Sequence, residues 1–411
     1  MRVLLVNPNT FYDPPTPPIG LEYLLTYLRA NGHEAEILDL CFSEAPQQEI
    51  NQRLKNKKYD LIGVTIRNID NADFLNTIYF LEDIKIIVNY LKQYTIPIVL
   101  GGIGFSDNPK NFLDYFGADF GIYGPGEQAI LHLIEDIKAK KANYRLLNGW
   151  DFKIQKELIH KRGEDVDYSR YVNNGADIGF ETQKGCPNRC SYCIESKTGH
   201  WLKSIPNIIA EIKHLVQQGY SQFNLCDSEF NLDLTHSITF CRTLRDAHLN
   251  IKWSLLMKPV PYNEELFRLL KESNADKIYY CIESDQEQQK AAHYNLKDLN
   301  KIFEYGRKYD LQLSFNLLTG FPFEPRDSIE KMINFLKEKR PARVYVISYI
   351  RLYGRTKLTE FVKDTPELHD KLTRQLKQNE NFMEPIFFNQ INLSEIKKLI
   401  DGDEMFKVAD G

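Results

Sequence analysis

The chain has 411 residues, of which 43% are hydrophobic, 26% charged and 12% aromatic, and 52 Lys+Arg against 56 Asp+Glu leave a formal net charge of -4. This balance excludes a disordered or fibrous chain and predicts two or three domains at roughly 150 residues each. There is no global basic field to gather phosphate backbones, no apolar run near the ~18 residues of a membrane span, and no signal-peptide pattern at the N-terminus; the expectation is a cytoplasmic protein with no nucleic-acid or membrane partner.

Residues 1–140 alternate strand and helix patterns. Strands are expected at Val3 to Val6, Ala35 to Leu38, Leu61 to Ile66, Ile96 to Leu100 and Phe120 to Tyr123. Between them lie amphipathic helices, one with Leu21, Leu24, Leu25 and Leu28 on a face and one with Ile84, Ile87, Val88 and Leu91. Such alternation predicts a doubly wound parallel α/β sheet that binds ligand outside the carboxyl ends of its strands. Those ends carry glycines: Gly101, Gly102 and Gly104 after the fourth strand, then Gly124 and Gly126, followed by Glu127, after the fifth. Glycine there lets backbone approach a bulky ligand and leaves N–H groups free, although it is also ordinary turn chemistry.

Residues 141–175 lack sustained periodicity and read as a linker. From 176 to 360 alternation resumes, with strands at Ile178 to Thr182, Phe223 to Leu225, Ile251 to Leu256, Ile278 to Ile282, Leu311 to Leu317 and Val344 to Tyr349. Asn263 is the expected N-cap of a helix carrying Leu266, Leu269 and Leu270. Six βα units suit a partial TIM-like (β/α)6 barrel. Residues 361–411 read as a short, charged helical tail with no assigned chemistry.

Seven cysteines are too few for a disulfide framework. Cys41, Cys226, Cys241 and Cys281 stand singly and are expected in or near cores. Cys186, Cys190 and Cys193 instead follow the first strand of the second domain, where barrel enzymes keep their active sites. Three thiolates at C-x3-C-x2-C can grip a four-iron cluster and leave one iron open. A structural zinc site would need a fourth ligand, for which His200 is the conceivable residue.

The triplet, with Tyr192 before its last cysteine, resembles the C-x3-C-x-aromatic-C hallmark of the radical S-adenosylmethionine (SAM) superfamily. The resemblance implies a 4Fe-4S cluster on Cys186, Cys190 and Cys193, with SAM chelating the open iron. It also implies SAM contacts from Tyr192 near the adenine, from Asp227 and Glu229 on the ammonium, with Glu229 preferred, from Lys258 near the carboxylate and from Glu283 on the ribose or methionine part. Gly320-Phe321-Pro322-Phe323-Glu324 resembles the family turn in which glycine and proline, here Gly320 and Pro322, bring backbone to the adenine.

The N-terminal half, with Pro-Pro-Ile-Gly-Leu after its first strand and the two glycine turns, is similar to the cobalamin-binding domain of class B radical SAM enzymes. The similarity implies a corrin site built from Asn7, Arg67, Asn68, Gly101, Gly102, Gly104, Gly124, Gly126 and Glu127. The segment Asn7-Pro8-Asn9-Thr10-Phe11-Tyr12-Asp13 has no histidine to ligate cobalt from below. Arg67 is expected under the corrin instead, where a guanidinium cannot coordinate.

Together these resemblances imply a cobalamin-dependent radical SAM methyltransferase that methylates an unactivated carbon of a small molecule or peptide. Methylcobalamin would supply the methyl group, a 5'-deoxyadenosyl radical would activate the substrate, and an external flavodoxin- or ferredoxin-type donor would supply electrons. A rearrangement, ring contraction or oxidative cyclisation on the same cofactors is the alternative, and a zinc-stabilised B12-sensing binding protein is the alternative of another class. A methylthiotransferase would need three more cluster cysteines, and Cys41 alone precedes Cys186.

Overall fold

A computed structural model describes residues 1–411 except 12–13, 154–156, 197, 377–378, 380 and 409–411. Tyr12 and Asp13 of the segment after the first strand thus lie outside the described residues. The chain divides into two compact units: Met1–Asn71, Ile78–Gly179 and Ala210–Gly219 form one, and Ala72–Thr77, Phe180–Ile209 and Tyr220–Gly411 form the other.

The first unit holds β1 (Arg2–Asn7), β2 (Glu34–Asp39), β3 (Leu61–Thr65), β4 (Ile98–Gly101), β5 (Phe120–Tyr123) and β6 (Leu146–Asn148) in the order β2-β1-β3-β4-β5-β6, all parallel. Val3, Leu4, Leu5 and Val6 are fully buried. A continuous apolar run of this kind is what a strand covered on both faces requires. The helix Leu81–Lys92 turns Leu81, Ile84, Ile87, Val88 and Leu91 inward, as its spacing predicts. The strand order reverses at β1, which pairs with both β2 and β3, so the crevice outside Asn7 and Thr65 is the topological switch point.

The stretch 141–175 is more than a linker. Within it β6 pairs with β5, Gly121 opposite Leu146, and the helix Tyr168–Asn173 buries Tyr168 and Tyr171. Fully buried Arg162 ion-pairs with Glu211 at 2.6 Å and hydrogen-bonds Tyr168 at 3.0 Å; Glu22 accepts from Gly163 N at 2.9 Å and from the Tyr168 hydroxyl. A segment held by polar contacts to distant residues shows no apolar periodicity, so its order was not legible as a pattern.

The second unit is built on a seven-stranded sheet. Its members are β7 (Ile178–Phe180), β10 (Gln222–Leu225), β11 (Lys252–Met257), β12 (Ala275–Glu283), β13 (Leu313–Leu318), β14 (Arg343–Ile347) and β17 (Phe406–Val408), in the order β17-β14-β13-β12-β11-β10-β7. Two ribbons, β8 (Gln183–Lys184) with β9 (Trp201–Leu202) and β15 (Ile350–Leu352) with β16 (Ile386–Phe388), complete the strands. Trp253, packed among Phe180, Phe230 and Phe240, anchors the core and donates Nε1–H to Ser273 O at 2.9 Å. Asn263 caps its helix as expected, accepting from Leu266 N at 2.9 Å.

The expectation of a helical tail is corrected here. Residues 361–411 contain β16 and β17 besides the helix Leu393–Ile400, and β17 adds a seventh strand, pairing parallel to β14 with Val344 opposite Phe406. Three residues that pair with a strand some sixty positions earlier carry no local period to read.

Candidate cofactor sites

The cysteine loop leaves β8 and returns through β9. Cys186 is buried and Cys190 and Cys193 are half-buried. Cys186 N donates to Thr198 Oγ1 at 2.8 Å, Leu358 N to Ser191 O at 2.9 Å and Arg355 Nη2 to Ile194 O at 2.8 Å, which ties the loop at its start and along its second half. Burial pushes the thiols up, Cys190 to about 11 and Cys193 to about 12, so a bound metal cluster must displace their protons. Cys186, Cys190 and Cys193 are near enough to raise one another's pKa, and three thiolates are a donor set for an iron–sulfur cluster, although among the described residues no group of three or more His, Cys, Asp or Glu is gathered as around a single metal ion. His200 is exposed and pairs through Nε2 with Gln183 Oε1 at 2.8 Å, so it is not placed as a fourth ligand. Cys226 departs from the expected core position: β10 alternates exposed and buried residues, and Cys226 follows on the exposed phase.

The two carboxylates after β10 do different things. Asp227 is buried, and its oxygens accept from Thr182 N at 2.7 Å, from the Thr182 hydroxyl and from Gln183 N at 3.2 Å. It therefore ties the end of β7 to the root of the cysteine loop rather than offering itself to a ligand. Glu229 keeps a buried Oε2 with no hydrogen-bond partner among the described residues. Burial raises its carboxyl to about 8 against the opposing pull of Lys258, with Glu283 and Glu195 adding repulsion. An orphaned buried carboxylate oxygen near Cys186 and Cys190 suits a ligand ammonium.

Lys258 extends Nζ to Asn188 Oδ1 at 3.0 Å, inside the cysteine loop, while Asn231 clamps its backbone through Lys258 N at 3.0 Å and Lys258 O at 2.9 Å. Glu283 is already occupied, accepting from Tyr192 at 2.6 Å and from Tyr294 at 2.7 Å. The expected aromatic and the expected acid are thus one hydrogen-bonded pair. The turn after β13 is braced by Glu324, which accepts from Gly320 N at 2.6 Å, Phe321 N at 3.0 Å, Ser328 Oγ at 2.9 Å and the Ser284 hydroxyl. Gly320 has φ +80, and a Cβ there would sit 3.1 Å from Ser348 O.

In the first unit, Asn7 ends β1 and donates to Asp39 Oδ1 at 2.8 Å, while Arg67 and Asn68 follow β3 half-buried. Gly102, at φ +101, leaves only 2.5 Å between an added Cβ and Ile66 O, and Gly104 leaves 2.8 Å to Arg67 O. These glycines let the turn after β4 lie on the backbone after β3. A Cβ added at Gly124 would meet Trp150 at 2.8 Å and one at Gly126 would meet Leu24 at 3.1 Å, so these glycines serve packing as well as any ligand; one at Gly101 would come no nearer than 3.5 Å, to Ile122 O, and Glu127 is buried at a helix start. Glycine-rich turns at the carboxyl ends of β4 and β5, beside the switch point, fit a large ligand that hydrogen-bonds backbone.

A B12 binding domain model matches residues 12–134, and a radical SAM superfamily model matches residues 180–336. The chain carries a B12-binding domain followed by a radical SAM domain. Tryptophan 2-C-methyltransferase of Streptomyces laurentii is 25% identical over 423 residues, covering 80% of this chain and 70% of that protein. An uncharacterized methyltransferase of Pyrococcus horikoshii is 22% identical over 377 residues, covering 82% and 78%. The structure of TsrM from Kitasatospora setae, a radical SAM methyltransferase with cobalamin and a 4Fe-4S cluster bound, shares the fold at a TM-score of 0.88 and 21% identity, over 99% of this chain and 92% of that one.

Within this radical SAM domain the sequence reading missed the residues that hold the site in shape. Gln183, Asn188, Asn231 and Tyr294 carry no motif and were not distinguishable from ordinary polar residues. Glu324 closes the turn 320–324, and its position four residues after Gly320 is the available signal. No helix among the described residues is long and apolar enough to cross a membrane.

Proposed function

We propose that this enzyme is a cobalamin-dependent radical SAM methyltransferase acting on an unactivated carbon of a small molecule or peptide. The observation that carries the reading is the pairing of a three-cysteine loop with the unpartnered Glu229 oxygen. Cys186, Cys190 and Cys193 hold the 4Fe-4S cluster, and Glu229 receives the SAM ammonium. Lys258, held by Asn231 and Asn188, sits beside the SAM carboxylate. Gly320 and Pro322 present the turn braced by Glu324 to the adenine, and Glu283 orients Tyr192. Asn7, Arg67, Asn68, Gly101, Gly102, Gly104, Gly124, Gly126 and Glu127 surround the corrin, with Arg67 supplying a cation that does not coordinate cobalt. When bound, the cluster supplies an electron to SAM and the corrin carries the methyl group; the chain's own part is to orient them and keep water out. A flavodoxin- or ferredoxin-type protein delivers the electrons.

The test is anaerobic incubation of protein reconstituted with iron, sulfide and cobalamin, together with SAM and a reductant. Tryptophan, the substrate named for the Streptomyces relative, is the first acceptor to offer. Methyl transfer by the radical route yields S-adenosylhomocysteine and 5'-deoxyadenosine in equal amounts. 5'-Deoxyadenosine alone would mean a rearrangement, ring contraction or cyclisation, and S-adenosylhomocysteine alone would remove the radical step. A colourless, zinc-containing preparation that leaves SAM intact would remove the enzyme reading.

A further inference from the structure

Gln183 is 2% exposed and lies on β8, three residues before Cys186. Its Nε2 donates to Glu229 O at 2.7 Å and to Phe230 O at 2.9 Å, with Asp227 Oδ2 at 3.3 Å. Its Oε1 faces His200 Nε2 at 2.8 Å, which fixes the amide with its donors toward the Glu229 loop. Successive carbonyls of one loop are therefore captured by a single side chain rooted at the start of the cluster loop.

That loop needs such a hold. Glu229 is extended, at φ −157 and ψ 127, immediately before the short turn Phe230–Leu232, so the orientation of the peptide between residues 229 and 230 decides where its side chain leaves. On the far side Ser237 Oγ also donates to Phe230 O, at 2.8 Å, and Asn231 Nδ2 donates to Pro261 O at 2.6 Å. No hydrogen bond from a described residue reaches Glu229 Oε2, so the path of the backbone at 229–230 bears directly on where that oxygen lies.

We propose that Gln183 is a positioning residue that fixes the Glu229 carboxylate relative to the cysteine loop, and so sets the affinity for the ammonium end of SAM. The inference rests on Glu229 as the ammonium partner, and it adds a residue that carries no charge and touches no reacting atom. An ammonium–carboxylate contact is charge-assisted and directional, so a misdirected carboxylate loses affinity for the charged end alone.

The experiment measures dissociation constants by anaerobic equilibrium dialysis on the reconstituted full chain, with SAM and with 5'-methylthioadenosine, which keeps the adenosine and lacks the ammonium. Gln183→Ala is expected to weaken SAM binding about tenfold, the order for one misaligned charge-assisted hydrogen bond, with 5'-methylthioadenosine affinity and iron content unchanged. His200→Ala, at an exposed position, frees the amide without removing it and is expected to shift SAM binding in the same direction by about threefold, which keeps the test open if Gln183→Ala does not fold. Wild-type SAM binding in both variants, with Glu229→Gln still weakened, overturns the role of Gln183 alone. Equal losses for both ligands, or loss of iron, also overturn it, because Gln183 would then serve only the fold. Unchanged SAM binding in Glu229→Gln removes the ammonium assignment on which the inference stands.

Discussion

Asp227 and Glu229 stand two positions apart in one loop, yet only Glu229 keeps a buried side-chain oxygen without a hydrogen-bond partner among the described residues. Asp227 is held near neutrality by burial, which raises its carboxyl to about 7 although donors from Thr182 and Gln183 pull the other way. A carboxyl with a folded pKa above its unfolded value near 3.8 binds more protons folded than unfolded between about pH 4 and 7. Its contribution to stability therefore falls as pH rises through that window and is flat above it. Asp227→Asn removes this slope; denaturant midpoints at pH 5 and pH 8 should lie closer together in the variant than in the parent, and an unchanged difference would show that Asp227 does not titrate there. Both carboxylates were legible as candidates from their place after a strand. Which of them is left with an unpartnered oxygen was not, because that depends on Thr182 and Gln183, some 45 positions away. Glu283 repeats the lesson: Tyr192 and Tyr294 fill its two oxygens.

At the scale of elements, the strands that wear a local pattern and those that borrow one separate cleanly. β1 announces itself by four successive apolar residues, and the helix Glu264–Glu272 by its cap and buried leucines. β6 and β17, three residues each, are strands because a neighbour's edge accepts their hydrogen bonds. Phe406 and Met405 are nearly buried, and Val344 and Val346 on the adjoining β14 are fully so. Ending the chain after residue 401 should expose β14 as an unprotected edge. The expected result is a melting temperature lower by several degrees and a shift toward aggregates in size-exclusion chromatography. A truncated chain as stable and monodisperse as the parent would show that β17 is an ornament of the sheet.

The chain forms two units, and the residues proposed for the two cofactors come from different stretches of it. The family-model matches, 12–134 and 180–336, do not overlap, and the three cysteines proposed to hold the cluster fall in the second. Replacing Cys186, Cys190 and Cys193 together by alanine should abolish iron binding and leave corrin binding near the parent level, as followed by metal analysis and the visible corrin spectrum. Loss of the corrin with the iron would mean that the first unit cannot hold it alone.

Composition, the strand and helix periods, the glycine turns and the C-x3-C-x2-C spacing are properties of neighbouring residues; they sufficed for the α/β class and the two-part organisation, and they single out Cys186, Cys190 and Cys193 as the proposed cluster ligands. The seventh strand, the packed segment around Arg162 and the division of labour among Asp227, Glu229, Glu283 and Glu324 came only with the folded chain. The physical reason is distance along the sequence: Tyr192 meets Glu283 across 91 positions and Gln183 reaches Glu229 across 46, and a carboxylate is available to a ligand only if no such remote donor has already taken it.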